Sequence, residues 1–170
     1  MKMHEKILYT VLILLCYTSN AQQTNPDYCE QFRLAIDYIK KDKNAKIRLF
    51  AVDTLLRNGW NYNMFSTEYI ATKLNLNEQK VISDKSEKAK RLWQRLENNS
   101  SFYDGKAILC KDINTKRRKS NTIFSKLDDE TLLVNLTTKR VGKEGSNGIA
   151  YLFFFDKKEI IKVLKSSWIE

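Results

Sequence analysis

Residues 149–155 read Ile-Ala-Tyr-Leu-Phe-Phe-Phe and are followed by the polar segment Asp156-Lys157-Lys158. Successive side chains of a β-strand point to opposite faces of the sheet, and here both the odd and the even positions are apolar. A strand that is apolar on both faces is typical of the buried centre of a sheet. We therefore predict that residues 149–155 form an inner strand and that the polar segment after it is a hairpin turn.

Short runs rich in Ile, Leu, Val, Phe and Thr lie on either side of this strand in the sequence. Gly142, Gly145 and Gly148 predict a longer loop before it. The short connections favour an antiparallel meander, because parallel strands would need crossovers of a dozen residues or more. The predicted strands are Lys106–Ile113, Thr122–Leu127, Thr131–Thr138, Ile149–Phe155 and Glu159–Trp168, with an earlier strand at Lys46–Leu55.

Helical spacing dominates the first half of the chain. Ala89, Leu92, Trp93 and Leu96 recur on one side of a helix, and we expect this stripe to face the core. The predicted helices are Pro26–Lys41, capped by Asn25; a short helix ending at Leu74, capped by Ser66 or Thr67; and a helix over 84–98, capped by Ser83 or Asp84.

These elements predict an α+β fold in which N-terminal helices pack on a mainly antiparallel C-terminal sheet. We expect residues 22–170 to form a single domain, with the helices covering one face of the sheet.

The N-terminus predicts a cleavable export signal over residues 1–21. A basic start precedes an apolar run at positions 7–18, and Ser19 and Ala21 are the small residues that signal peptidase requires. This run is shorter than the roughly 20 apolar residues that span a bilayer, which argues against a membrane helix. Acylation of Cys16 and tethering to a membrane is the remaining alternative. We expect the mature protein to be periplasmic or extracellular.

Cys29 and Cys110 remain after cleavage, and an even pair in an exported chain is most simply a disulfide. Two reduced, buried thiols are the alternative. Because a disulfide needs Cα atoms within about 7 Å, we expect the first helix to pack on the strand that holds Cys110.

The mature chain contains no histidine, since the only one, His4, lies in the signal. Ser-His-Asp and Cys-His sites therefore lack their proton acceptor, and histidine-based zinc sites are excluded. Two cysteines are too few for a zinc site built from thiolates alone. We expect no metal and no cofactor, and a non-enzymatic protein in preference to an enzyme.

The densest basic cluster is Lys116-Arg117-Arg118-Lys119, in a chain of formal net charge +10. This candidate anion-binding cluster suits an acidic glycan, a phosphate or a lipid headgroup, and the basic helix over 84–98 could extend it. The alternative is a solvated loop and a solvated helix face. Export argues against nucleic acid as the partner.

Trp60 and Tyr62 are candidate ligand-stacking residues, because they lie beside asparagines in an irregular segment. The alternative is that they anchor this segment in the core. Asp53 is the acid whose pKa burial in an apolar strand could raise, although an acid facing water at a sheet edge is the simpler interpretation.

These features predict an exported binding or interaction module for an anionic envelope component or an envelope protein. The alternative is a hydrolase of glycan or peptidoglycan that uses two carboxylates, since such enzymes need no histidine.

The last part of the chain also carries a resemblance. Ile123–Lys126, Leu132–Val134, Ala150–Asp156 and Ile161–Ile169 together resemble the C-terminal part of small exported bacterial proteins of unknown function. The resemblance covers about the last 50 residues and implies the hairpins, but it brings no activity or site residues.

Mass spectrometry of the secreted product checks the export signal directly. We expect a mature N-terminus at Gln22, because cleavage follows the small residue Ala21. A product that begins with a lipidated Cys16 would contradict this prediction.

Overall fold

The computed structural model describes residues 28–45, 51–53, 55–57, 62–98, 103–108, 110, 112–113, 115, 120–127, 130–140 and 145–169. The predicted signal therefore lies outside the described residues, as do positions 46–50 of the earliest predicted strand. Within the described residues, no helix combines the length and the apolar character needed to cross a membrane.

Within the described residues, four α-helices precede most of the strands. They are α1 (Tyr28–Lys41), α2 (Ser66–Leu74), α3 (Glu78–Ser83) and α4 (Glu87–Asn98). The strands are β1 (Leu55–Arg57), β2 (Tyr103–Ala107), β3 (Thr122–Phe124), β4 (Thr131–Arg140), β5 (Ser146–Asp156) and β6 (Glu159–Ile169).

The main sheet has the order β3-β4-β5-β6, and each neighbouring pair is antiparallel. The turn between β5 and β6 is formed by Lys157 and Lys158, with Asp156 paired to Glu159. Strands β1 and β2 form a separate two-stranded sheet. The structure thus confirms the predicted α+β fold with a C-terminal antiparallel meander.

Strand β5 is an inner strand, as its sequence predicts, and every residue from 148 to 155 is buried. Its odd positions, among them Tyr151 and Phe153, pack with Phe32 and Ile36 of α1. Its even positions, among them Leu152, pack with residues of α2, α3 and α4.

The helices therefore cover both faces of the sheet, and the prediction that they cover one face is wrong. The reason lies in β5 itself. A strand with large apolar side chains on both faces would leave one row in water if a single layer of helices covered it. Burial of each such side chain contributes about 1.5–3 kcal/mol, which favours a second layer.

Helix α1 is fixed near its start to the turn between β5 and β6, and the predicted disulfide bonds it to the connection after β2. Cys29 and Cys110 are bonded, with their Cα atoms 5.5 Å apart. Near the start of α1, Gln31 donates to the carbonyl oxygen of Lys157 at 2.6 Å, and Glu30 pairs with Lys158 at 2.8 Å. Closing an 81-residue separation restricts the unfolded chain, which the loop-entropy model values at about 4–5 kcal/mol.

The predicted strand boundaries near Cys110 and Gly148 are wrong. Strand β2 ends at Ala107, so Cys110 lies in the connection after it and not in a strand. Gly148 lies inside β5 and not in a loop. It must be glycine there, because a Cβ atom would collide with the carbonyl oxygen of Leu136 and with the ring of Trp168. The Trp168 ring takes the space that a side chain at position 148 would fill.

Candidate anion-binding surface

Most of the predicted ligand-binding residues lie where the structure gives no side-chain positions. The cluster Lys116-Arg117-Arg118-Lys119 and Trp60 lie outside the described residues. Tyr62 begins a 3₁₀ helix, Tyr62–Phe65, but its side chain is outside them as well. Their roles stay predictions.

The residues on either side of the basic cluster are described, and both lie beside the same short segment. Thr115 forms an isolated bridge with Val52. The Ser120 hydroxyl donates to Asp53 Oδ2 at 3.3 Å. Thr115 and Ser120, which flank the cluster in sequence, therefore both lie next to residues 52–53, and Val52 forms a bridge with Thr122 of β3.

Helix α4 carries the basic residues Lys88, Lys90, Arg91 and Arg95. Its N-cap is Ser86, whose hydroxyl accepts from the Ala89 amide at 3.1 Å. The predicted caps Ser83 and Asp84 are wrong, because the short helix α3 ends at Ser83. Asp84 instead accepts from the Ser86 amide at 2.8 Å and orders the turn between the two helices.

One side of α4 packs in the core, as its apolar spacing predicts. Ala89 and Leu96 are buried, and Leu92 and Trp93 are half-buried against the even face of the sheet. This packing holds the helix at a fixed rotation about its own axis, so the opposite side is presented to solvent in a defined orientation.

Lys88, Arg91 and Arg95 follow one another at spacings of three and four residues along the outer part of α4. Residues at these spacings lie on the same side of a helix, and we call this row the cationic stripe. Lys88 and Arg91 are exposed, whereas Arg95 is half-buried. Neither Lys88 nor Arg91 forms an ion pair with any residue that the structure describes.

Lys90 differs from the stripe although it belongs to the same helix. Its ammonium group pairs with Glu87 Oε1 at 2.8 Å, so its charge is locally compensated. Lys88 and Arg91, which have no ion pair among the described residues, therefore fall on one side of the helix.

A second polar cluster joins the end of α1 to the sheet. Asp42 Oδ2 accepts hydrogen bonds from the Tyr151 hydroxyl at 2.9 Å and from the ammonium group of Lys165. The Asn44 amide donates to Asp42 Oδ1 at 2.9 Å. The Lys165 ammonium also lies 5.6 Å from the centre of the Tyr151 ring, within cation–π range.

The protonation of this cluster follows from its geometry. Burial alone would raise the pKa of Asp42, but hydrogen bonds from Lys165, Asn44 and Tyr151 outweigh it and lower that pKa. Burial and the adjacent Asp42 carboxylate raise the pKa of Tyr151. At neutral pH the cluster therefore holds an ionised Asp42 and a protonated Tyr151, an arrangement suited to fixing α1 on the sheet.

Sequence analysis missed this cluster, because Tyr151 and Lys165 lie 109 and 123 positions from Asp42. It also missed two buried polar atoms on the even face, Trp168 Nε1 and Asn135 Oδ1, for which the described residues supply no hydrogen-bond partner. They lie in adjacent rows of the sheet, since Asn135 pairs with Ala150 and Trp168 pairs with Gly148.

Among the residues that the structure describes, no group of three or more Cys, His, Asp or Glu side chains could hold a metal ion. Comparison with protein-family models, with curated proteins and with solved structures finds no match to this chain. The resemblance of the last 50 residues to small exported proteins stays a prediction.

Replacement of Asp42 by Asn tests the cluster at the end of α1. A carboxyl group whose pKa is lowered by folding stabilises the protein above its unfolded pKa, here 3.8, and this stabilisation is lost as the pH falls through the folded pKa. We expect Asp42→Asn to reduce the free energy of unfolding at pH 7 by about 1.5–3 kcal/mol. The difference from wild type should shrink below about pH 4.

Asp112→Asn is the matched control, measured by the same urea titrations across pH. The ion pair of Asp112 with Arg33 is exposed, with side-chain exposures of 68% and 50%, so its loss should cost less than about 1 kcal/mol. Equal losses in the two variants, or a loss at Asp42 that does not change with pH, would contradict the assignment.

Proposed function

We propose that this protein is an exported, non-enzymatic binding module that takes an anionic component of the cell envelope, with an envelope protein as the other possible partner class. Its place of action is the periplasm or the extracellular space. No cofactor takes part in this function.

Two features support export. The first 21 residues carry the pattern of a cleavable signal. The Cys29–Cys110 disulfide suits an oxidising compartment, where such bonds persist.

The observation that best supports an anionic ligand is the cationic stripe on α4. Its exposed members, Lys88 and Arg91, have no carboxylate partner among the described residues, whereas Lys90, Lys158 and Lys165 each have one. Unpaired cations on one side of a helix attract anions from solution. The basic cluster at 116–119 also favours an anionic ligand. So does the composition of the whole chain, which has 30 Lys and Arg residues against 20 Asp and Glu residues.

A hydrolase that uses two carboxylates is the alternative, and Asp42 does not favour it. A general acid of a glycosidase needs a raised pKa, whereas the pKa of Asp42 is lowered and both of its oxygens accept hydrogen bonds. Two acids about 5–10 Å apart in one cleft would be the geometry that favours the alternative.

Retention of the mature protein on heparin and on immobilised lipopolysaccharide tests the proposal. We expect retention at low salt and release only as the salt concentration rises, because the attraction between exposed charges is screened by ions. The variant Lys88→Glu/Arg91→Glu should elute at distinctly lower salt than wild type.

Lys41→Glu/Lys43→Glu is the matched control, since it makes the same change in net charge at the end of α1, on the other face of the sheet. It should elute close to wild type. Absence of retention even at low salt would contradict the proposal, and equal shifts in the two variants would show that net charge alone causes retention.

A further inference from the structure

The geometry of α4 points to a particular class of anion, and we infer that the cationic stripe binds a linear acidic glycan that lies along the helix. This inference rests on the proposed function, because it specifies the ligand of the same surface. It distinguishes an extended chain with repeated charges from an isolated anionic group.

The cations of the stripe follow one another along the helix axis and do not surround a single point. With a rise of about 1.5 Å per residue, the Cα atoms of Lys88 and Arg91 are offset by about 4.5 Å along the axis, and Arg95, which also has an interaction within the structure, lies about 6 Å further on. Lys85, exposed and without an ion pair to any described residue, precedes the helix on the same segment. Cations spaced in this way match charges that recur along a polymer.

An isolated phosphate or sulfate needs several donors aimed at one point. The usual place for this on a helix is its N-terminus, where free amides point outward. In α4 one of these amides is already bonded, because the Ser86 hydroxyl accepts from the Ala89 amide. The cations of the stripe lie along the side of α4, and this side therefore offers an extended anion more partners than the end does.

Individual exposed charge pairs contribute little, about 0–1 kcal/mol each. A linear polyanion differs from a small anion because ions are condensed along it, and each cation that binds releases some of them. Several moderate contacts on a rigid row then add up to useful affinity. The buried side of α4 supplies the rigidity, since Ala89 and Leu96 are fixed in the core.

The dependence of affinity on salt measures how many charges take part. For a dense polyanion, log K falls linearly with log salt with a slope of about 0.7–0.9 per contact. Lys88→Gln/Arg91→Gln removes two contacts, so we expect the slope to become shallower by about 1.4–1.8. Lys41→Gln/Lys43→Gln should leave the slope unchanged, because those residues lie on the other face of the sheet.

The experiment uses the full mature chain and its variants, each first checked for an unchanged thermal midpoint. Heparin, inorganic phosphate and vesicles that contain anionic phospholipid are titrated between about 50 and 200 mM salt. We expect the dissociation constant for heparin, expressed per anionic group, to be at least tenfold lower than that for phosphate or for the vesicles. We expect the slope of log K against log salt to change only in the Lys88/Arg91 variant.

Each other outcome has a distinct meaning. One outcome is that phosphate or vesicles bind as tightly per anionic group as heparin and that the Lys88/Arg91 variant loses this binding. This outcome would overturn the inference of a linear glycan ligand but would leave the anion-binding function standing. Heparin binding whose slope does not change in that variant would overturn the role of the stripe. Absence of binding to all three probes would overturn the proposed function as well.

Discussion

Every residue of β5 from 148 to 155 is buried, and the strand carries large apolar side chains on both faces. This burial imposes two conditions on the fold. A layer must cover each face of the sheet, and β5 must have a neighbouring strand on each side. Strands β4 and β6 satisfy the second condition. The first is met by dividing the helices, with α1 on the odd face and α2 to α4 on the even face.

This division explains where the remaining polar interactions lie. Helix α1 covers the odd face together with buried residues of the connections, among them Val52 and Ile108, and it is fixed by the disulfide at Cys29 and by Asp42 at its end. The other layer is fixed through packing, including the stacking of Tyr69 on Phe154, and through the bond from Lys162 to Thr72 at 2.8 Å. With one side of α4 in this layer, its charged side is left to solvent in a fixed orientation. The candidate binding surface is thus a consequence of how β5 is covered.

Local patterns were enough to predict the hairpins, the inner position of β5, the core side of α4 and the pairing of Cys29 with Cys110. Each depends on residues that are close in sequence, or on a cysteine count that leaves one simple pairing. The apolar residues on both faces of β5 already implied that both faces of the sheet are covered. The apolar spacing within a helix, however, does not say which face of the sheet that helix covers. The cluster of Asp42, Tyr151 and Lys165 had no local signal, because the fold alone brings its members together. The stripe was visible as basic residues, but the absence of carboxylate partners at Lys88 and Arg91 required the structure.

Native-state hydrogen exchange tests the central role of β5 most directly. If both layers depend on this strand, the amide protons of residues 150–154 can exchange only when the whole fold opens. The account predicts that they exchange more slowly than those of the edge strand β6 and of α4, with an opening free energy equal to that of global unfolding. Exchange at residues 150–154 as fast as in β6 would contradict it.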